Sequence, residues 1–188
     1  MNVLVGVTGG IACYQACELV RLLRRDDHAV RVAMTANAQR FVTALTFEAL
    51  SNNQVAADMW EPGRQYNVEH IALAKWADVA VIAPATANCI GKIAGGIADD
   101  LLTTGIMALP AETPVVIAPA MNTQMWQNPL VQRNIELLRS VGKYYFVQPR
   151  VALLACGDTG AGALADPGVI YKQVLALKPE PPQMPTAV

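Results

Sequence analysis

Short runs of consecutive apolar residues alternate along the chain with longer segments whose apolar positions recur at helical spacing. The short runs are typical of strands buried on both faces of a sheet, and they occupy residues 2–7, 30–34, 79–83, 114–118 and 144–147. Helical patterns occupy residues 11–25, 36–50, 87–109, 129–140 and 169–177, with breaks predicted near residues 43–46 and near Gly95 and Gly96. This alternation predicts one α/β domain, a parallel sheet with helices on both faces.

Three stretches lack either pattern. Residues 52–67 are polar and contain a Glu-Pro-Gly run, which predicts an irregular loop. Residues 149–167 are rich in glycine, which predicts a flexible loop of the lid type. Residues 178–188 hold four prolines and no periodicity, so we expect a disordered tail or the stump of a linker after a domain that spans residues 1–177.

Composition narrows the class of protein. Of the 188 residues, 53% are hydrophobic and only 15% are charged, so we expect other copies of the chain to cover part of the surface. A net charge of -1 gives no indication of binding to nucleic acid or to an anionic membrane. The first residues lack a basic region and a cleavage site, and no apolar run is long enough to span a bilayer, which predicts a cytoplasmic protein. The four cysteines lack metal-ligand spacing, so we predict no metal site and no disulfide.

Small and polar residues follow three predicted strands, at the sheet edge where open α/β proteins bind ligands. The first group is a glycine-rich turn at residues 6–12, whose backbone N–H groups either bind an anion or only form a tight turn. Residues 35–37 and 85–88 add hydroxyl and amide groups. Together they predict a site for a planar, phosphorylated ligand. No acidic residue is placed to hold a ribose 2′-hydroxyl, which favours FMN over NAD.

The fourth strand runs directly into the sequence PAMNTQMW at residues 119–126. Asn122 offers an uncharged amide that can hold a carboxylate without neutralising it, which suits a carboxylate that must leave as carbon dioxide. His70 follows a polar stretch and is either structural or catalytic. Cys156, in the glycine-rich stretch, is either a proton donor or inert. Adjacent residues on a helix do not converge, so Asp99 and Asp100 favour a capping or surface role.

These segments together resemble the homo-oligomeric flavin-containing cysteine decarboxylases. The resemblance covers about residues 2–176 and rests on residues 6–12, 70–78, 83–88, 119–126 and 154–158. It implies a flavodoxin-like or Rossmann-like fold, FMN bound at subunit contacts, and assembly into a homotrimer or a dodecamer of four trimers. Some members continue into a phosphopantothenoylcysteine synthetase domain, so such a domain or protein is an expected partner.

The resemblance also implies an activity, the decarboxylation of 4′-phosphopantothenoylcysteine to 4′-phosphopantetheine in coenzyme A biosynthesis. With FMN as the electron acceptor, the substrate thiol is oxidised to a thioaldehyde. The thioaldehyde stabilises the electrons released with carbon dioxide as an aminoenethiolate, which is then protonated and reduced. The substrate is a small molecule, and the net reaction is redox-neutral.

The family's residue roles carry over to matching positions of this sequence. His70 matches the active-site histidine, Asn122 the carboxylate-binding asparagine and Cys156 the cysteine of the substrate clamp. The implied cofactor-binding residues are Gly9, Gly10, Ile11, Thr35, Asn37, Phe41, Thr86, Ala87, Asn88, Cys89 and Ala120. The implied substrate-binding residues are Asn122, Met125, Ala155, Gly157 and Asp158.

Three other functions remain open at this point. A peptidyl-cysteine decarboxylase would act on the C-terminus of a precursor peptide, release the aminoenethiol and need no proton-returning cysteine. A flavin-binding regulatory subunit would hold FMN without turnover. A flavin-dependent prenyltransferase would share the fold but lack the run at residues 119–126. Cys156 and that run favour the small-molecule decarboxylase.

Overall fold

The computed structural model describes residues 1–59 and 69–177 of the chain. Its strands are β1 (Asn2–Val7), β2 (Ala29–Met34), β3 (Val79–Ala85), β4 (Val115–Pro119), β5 (Tyr144–Phe146), β6 (Arg150–Leu153) and β7 (Thr159–Ala163). Its helices are α1 (Cys13–Arg25), α2 (Ala44–Ser51), α3 (Glu69–Trp76), α4 (Ala87–Ala94), α5 (Leu101–Met107), α6 (Thr123–Gln127), α7 (Pro129–Ser140) and α8 (Pro167–Ala176). A short 3-10 helix, Ala38–Arg40, precedes α2.

The first five strands form one parallel sheet in the order β2-β1-β3-β4-β5. This is the doubly wound, flavodoxin-like order, which confirms the predicted fold class. The chain reverses direction across the sheet between β1 and β3. The carboxyl ends of these two strands therefore flank the crevice in which such folds bind ligands.

The sheet is covered on both faces because successive side chains of its strands point to opposite sides. Val3, Val5 and Val7 of β1 join the core formed with α1, α2 and α8. Leu4 of the same strand joins the core formed with α3, α4, α5 and α7. Strands β3 and β4 alternate in the same way, so the uninterrupted apolar runs of the sequence reflect burial on two faces.

The glycine-rich stretch at residues 149–167 differs from its prediction as a flexible loop. It contains β6 and β7, which pair antiparallel as a hairpin separate from the main sheet. Strand β7 reads Thr-Gly-Ala-Gly-Ala and lacks the side-chain alternation that identifies a strand. Strand β7 is held in place instead by contacts with residues distant in the sequence. One of them is a hydrogen bond of 2.9 Å from the Met121 N–H to the Gly162 carbonyl.

Other boundaries shift by less. Residues 36–50 form the 3-10 turn and α2, and residues 87–109 form α4 and α5 around Gly96, whose φ is +68°, so both segments are interrupted near the predicted breaks. Helices α3 and α6 lie in segments for which the sequence predicted no helix. Of the loop predicted at residues 52–67, only 52–59 are described, and the predicted tail at 178–188 lies outside the described residues.

Three further observations concern the described residues, 1–59 and 69–177. Each helix there is too short or too polar to cross a bilayer. The same residues hold no group of three or more side chains suited to bind a metal ion. All four cysteines are free thiols, and only Cys156 is exposed.

Candidate active site

Two adjacent cavities open at the carboxyl edge of the main sheet. The switch cavity, about 490 Å³, is lined by residues that follow β1, β2 and β3. The hairpin cavity, about 480 Å³, is lined by the β6–β7 hairpin and the start of α1. Gly10, Ala120 and Met121 line both, so the two cavities share a wall.

Hydrogen bonds between strand ends build the switch cavity. The Thr8 hydroxyl donates to the Pro84 carbonyl at 2.7 Å, and the Thr86 N–H donates to that hydroxyl at 3.0 Å. Residue 9 must be glycine, because a Cβ there would lie closer than 3.0 Å to the backbone of Asn37. The turn after β1 therefore packs against the loop after β2 and is hydrogen-bonded to the loop after β3.

This turn presents free backbone donors. Within residues 1–59 and 69–177, the N–H groups of Gly9, Ile11 and Ala12 have no acceptor. No side chain caps the N-terminus of α1, whose dipole favours negative charge. Such an arrangement suits a phosphate group. The hydroxyl and amide side chains around it suit a polar chain and the edge of a ring, so the residues present fit FMN.

The charged residues of the switch cavity are paired with one another. Lys92 contacts Asp99 at 2.6 Å and Asp100 at 3.1 Å. The hydrogen bond between Lys92 and Asp99 raises the pKa of the lysine and lowers that of Asp99. Asp100 also caps α5 through a reciprocal capping box with Thr103, which confirms the capping role predicted for this acidic pair. Burial raises the pKa of the neighbouring Cys89 thiol to about 12.

In the hairpin cavity, the side chain of Asn122 is held at both ends. Its Oδ1 accepts a hydrogen bond from the Gln124 N–H at 2.8 Å and caps α6. Its Nδ2 donates to Cys156 Sγ at 3.3 Å, and that thiol donates to Asp158 Oδ2 at 3.4 Å. The capping bond fixes the orientation of the amide, so its N–H groups face the cavity and the cysteine.

Close packing of glycine backbone holds the hairpin over Asn122. A Cβ at Gly160 would lie closer than 3.0 Å to Thr123 Oγ1, and one at Gly162 would overlap the Met121 carbonyl. Gly162 also has φ of +142°, which side chains rarely adopt. Because β7 packs closely against residues 121–123, Cys156, in the turn between β6 and β7, lies next to the side chain of Asn122.

The predicted site residues divide between the two cavities. Lining the switch cavity are Gly9, Gly10, Thr35, Asn37, Thr86, Ala87, Asn88, Cys89, Ala120 and Met125. Lining the hairpin cavity are Gly10, Ile11, Ala120, Asn122, Ala155 and Cys156. Ile11, predicted to bind cofactor, lines the hairpin cavity, and Met125, predicted to bind substrate, lines the switch cavity.

Four predicted residues line neither cavity. Gly157 and Asp158 lie beside Cys156 on the hairpin turn. Phe41 is 51% exposed after the 3-10 turn. His70 lies in α3, which packs against α5, and the described chain does not bring it to Asn122 and Cys156.

Several cavity residues were not predicted from the sequence. Tyr14 and Gln15 of α1 and Arg150 of β6 line the hairpin cavity, and Lys92 lines the switch cavity. Tyr14 and Gln15 lie within one turn of the recognised glycine-rich segment, which is a signal that could have identified them. Arg150 had no comparable signal, because its hairpin was not predicted.

The Flavoprotein family matches residues 1–178. The chain belongs to this family. The Bacillus subtilis coenzyme A biosynthesis bifunctional protein CoaBC is 49% identical over 91% of this chain, which spans only 41% of that protein. The probable phosphopantothenoylcysteine decarboxylase of Streptococcus mutans is 43% identical and is covered over 96% of its length. The resemblance recognised in the sequence is therefore confirmed.

Solved structures agree with this assignment. A PPC decarboxylase variant complexed with pantothenoylaminoethenethiol has a TM-score of 0.83 and 36% identity, over 93% of this chain and 96% of that one. The FMN-dependent cysteine decarboxylase SpaF has a TM-score of 0.79 and 35% identity, over 94% and 97%. This flavoprotein thus shares its whole described fold with cysteine decarboxylases.

Proposed function

We propose that this protein is an FMN-dependent decarboxylase that converts 4′-phosphopantothenoylcysteine to 4′-phosphopantetheine. The observation that carries the proposal is the hydrogen bond of 3.3 Å between Asn122 Nδ2 and Cys156 Sγ, beside the wall shared by the two cavities. It joins an uncharged carboxylate-binding group to a proton donor. The name of the S. mutans relative supports the same reaction, and that of the B. subtilis relative supports a role in coenzyme A biosynthesis.

FMN is assigned to the switch cavity. The free N–H group of Gly9, which lines this cavity, would contact its phosphate, and the side chains of Thr35 and Asn88 are among those that would contact the rest. When bound, FMN supplies a reversible electron acceptor. Substrate in the hairpin cavity would lie against it across Gly10, Ala120 and Met121.

Asn122 is assigned to the substrate carboxylate. Because its Oδ1 is occupied by the Gln124 N–H, the amide can turn only donors toward the cavity. A lysine or arginine in its place would stabilise the carboxylate charge and oppose its loss as carbon dioxide. The amide orients the group and leaves its charge free to move into the substrate.

Cys156 is assigned to the protonation that follows loss of carbon dioxide. Its thiol lies within hydrogen-bond distance of both the Asn122 amide and the Asp158 carboxylate. Asp158 accepts the S–H and so holds the proton in position before substrate arrives. The Asn122 N–H donates to the sulfur that the proton leaves behind.

His70 is assigned to the active site of a neighbouring copy in a trimer or dodecamer. In the described chain it lies outside both cavities, although its segment is among those that carry the family resemblance. The exposed apolar side chains of Ile11, Tyr14 and Phe41 lie near the cavities and would be covered by such a neighbour. A composite site between copies accounts for both observations.

We also assign the protein to the cytoplasm, with a phosphopantothenoylcysteine synthetase as partner. The B. subtilis relative is a bifunctional coenzyme A biosynthesis protein, and this chain spans less than half of it. A synthetase domain or a separate protein would supply the cysteine compound used here. We assign residues 1–177 to the decarboxylase domain and residues 178–188 to a linker or tail.

Mass spectrometry of the reaction tests this function. The purified protein, loaded with FMN, is incubated with 4′-phosphopantothenoylcysteine. We expect a product lighter by carbon dioxide alone. Loss of two further hydrogens would indicate the aminoenethiol of a peptidyl-cysteine decarboxylase, and bound FMN without any product would indicate a regulatory subunit.

Two variants test the residue roles in the same assay. Cys156→Ser should release the unsaturated product, whereas Cys17→Ser, at a half-buried thiol in α1, should yield the normal one. Asn122→Asp should lower kcat/KM by more than about 100-fold, because like charges brought together cost several kcal/mol. Normal product from Cys156→Ser at the normal rate would contradict the assignment.

A further inference from the structure

The hairpin cavity contains an unpaired cation. Arg150, at the start of β6, is the charged residue among its described lining residues, which include no carboxylate. Within residues 1–59 and 69–177, Arg150 forms no ion pair. A cavity with one free guanidinium and no acid favours an anionic ligand.

We propose that Arg150 binds the phosphate of the substrate and makes the enzyme prefer the phosphorylated cysteine compound. This rests on the proposed function, in which the substrate brings a carboxylate and a phosphate into the same cavity. Asn122, which takes the carboxylate, is uncharged. A guanidinium forms charge-assisted hydrogen bonds with phosphate that an uncharged amide cannot match, and Arg150 provides one in that cavity.

Local structure prepares the guanidinium for this role. Arg150 Nε donates to the Leu164 carbonyl at 2.7 Å, which fixes the plane of the group. Within the described chain its two Nη atoms have no hydrogen-bond partner, and the residue lines the cavity. A planar pair of donors matches two phosphate oxygens, and it is held before the ligand arrives.

The position of Arg150 along the hairpin suits a long substrate. Cys156 and Asn122 mark the end at which the cysteine reacts. Strand β6 runs from Arg150 to Leu153 and extends about 10 Å at the usual rise per residue, and the turn to Cys156 adds further length. Ala152, Leu153 and Leu154 line the cavity between them and would contact the apolar arm that joins cysteine to phosphate.

The cation of the neighbouring cavity is a poorer candidate. Lys92 is held by Asp99 and Asp100, which already balance its charge. It also lines only the switch cavity, where FMN is assigned. Arg150 is the cation that a substrate in the hairpin cavity can reach without breaking an ion pair.

Steady-state kinetics with two substrates tests the proposal. We compare 4′-phosphopantothenoylcysteine with pantothenoylcysteine, which lacks the phosphate, in the full chain loaded with FMN. For Arg150→Gln we expect kcat/KM to fall about 10- to 100-fold with the phosphorylated compound, chiefly through KM, and to change little with the other. Arg150→Lys should fall between. Arg133→Gln, which removes an exposed arginine of α7 that lines neither cavity, should match the native protein with both compounds.

Equal losses with both compounds would show that Arg150 only supports the hairpin and would overturn the proposal, as would no loss with either. Binding of 4′-phosphopantetheine and pantetheine, followed by flavin absorbance or calorimetry, gives a second readout that needs no turnover. If the native protein decarboxylates neither compound, the proposed function fails. The proposal that Arg150 binds phosphate is then tested by ligand binding alone. It is supported if Arg150→Gln removes a preference for the phosphorylated ligand and overturned if it does not.

Discussion

Replacing Gly160 by alanine should release the hairpin from the loop that carries Asn122. The new Cβ would lie closer than 3.0 Å to Thr123 Oγ1, 3.0 Å from Cγ2 and 3.1 Å from Cβ. These atoms belong to a short, branched side chain, so they cannot move away cheaply. Overpacking of this kind costs about 1–3 kcal/mol. If that cost falls on docking of the hairpin, the equilibrium constant for docking should fall about 5- to 150-fold, and kcat/KM by up to the same factor.

The double variant provides the decisive comparison. Thr123→Ala removes Oγ1 and Cγ2, the two nearest obstacles, and leaves the contact of 3.1 Å to Cβ, which a shift of a few tenths of an ångström would relieve. The Thr123 hydroxyl is buried and has no hydrogen-bond partner in the described residues, so its loss alone should cost little. We therefore expect Thr123→Ala to restore most of the activity lost in Gly160→Ala, with a coupling energy of at least about 1 kcal/mol.

Two measurements follow docking without relying on turnover. Hydrogen exchange at the Met121 N–H, which donates to the Gly162 carbonyl, should quicken in Gly160→Ala and slow again in the double variant. Gly168→Ala is the matched control, because a Cβ there meets no atom within 4 Å. Native exchange and activity in Gly160→Ala, or no recovery in the double variant, would refute the docking argument.

Three further predictions concern stability and assembly. Asp100→Ala should lower the free energy of unfolding by about 1–2 kcal/mol and Asp100→Asn by less, since Asn also caps helices; denaturant titration measures both. The Cys89 pKa of about 12 lies above its usual 9.0, so the stability that the protonated thiol contributes is complete below pH 9 and is lost as pH rises toward 12. Between pH 9 and 12, the free energy of unfolding of the native protein should fall by about 1.4 kcal/mol per pH unit more than that of Cys89→Ala. Equal slopes for the two proteins would contradict this prediction. If His70 serves a neighbouring copy, co-expressed His70→Ala and Cys156→Ser chains should recover saturated product at about a quarter of the native rate, whereas sites within one chain would recover none.

The parallel sheet and the edge at which it binds ligands could be predicted because a continuous apolar run and the point where it ends identify both. Strands buried on two faces read as continuous apolar runs, and the first polar residues after them must lie at the carboxyl edge. Thr86 and Asn122 were identified in this way, and both line cavities. The proximity of Asn122 to Cys156 followed only from the family resemblance, since no local rule relates residues 34 positions apart.

What the sequence could not predict depends on contacts distant in the chain. The β6–β7 hairpin contains a glycine-rich strand whose order comes from packing against residues 121–123, so its own pattern looked like a mobile loop. Arg150 was missed with it. Helix α3 follows a polar stretch and lacks an amphipathic pattern, so the sequence placed His70 only near a strand.

The division of labour between the main sheet and the hairpin has an evolutionary consequence. The switch cavity is built from strand ends of the main sheet, whereas much of the hairpin cavity comes from β6, β7 and the turn between them, which pair with each other. Changes in that single short segment can alter which molecule is recruited while the redox chemistry is inherited intact. Substitutions in the β6–β7 hairpin alone could thus change the substrate of a lineage from a free metabolite to a peptide terminus.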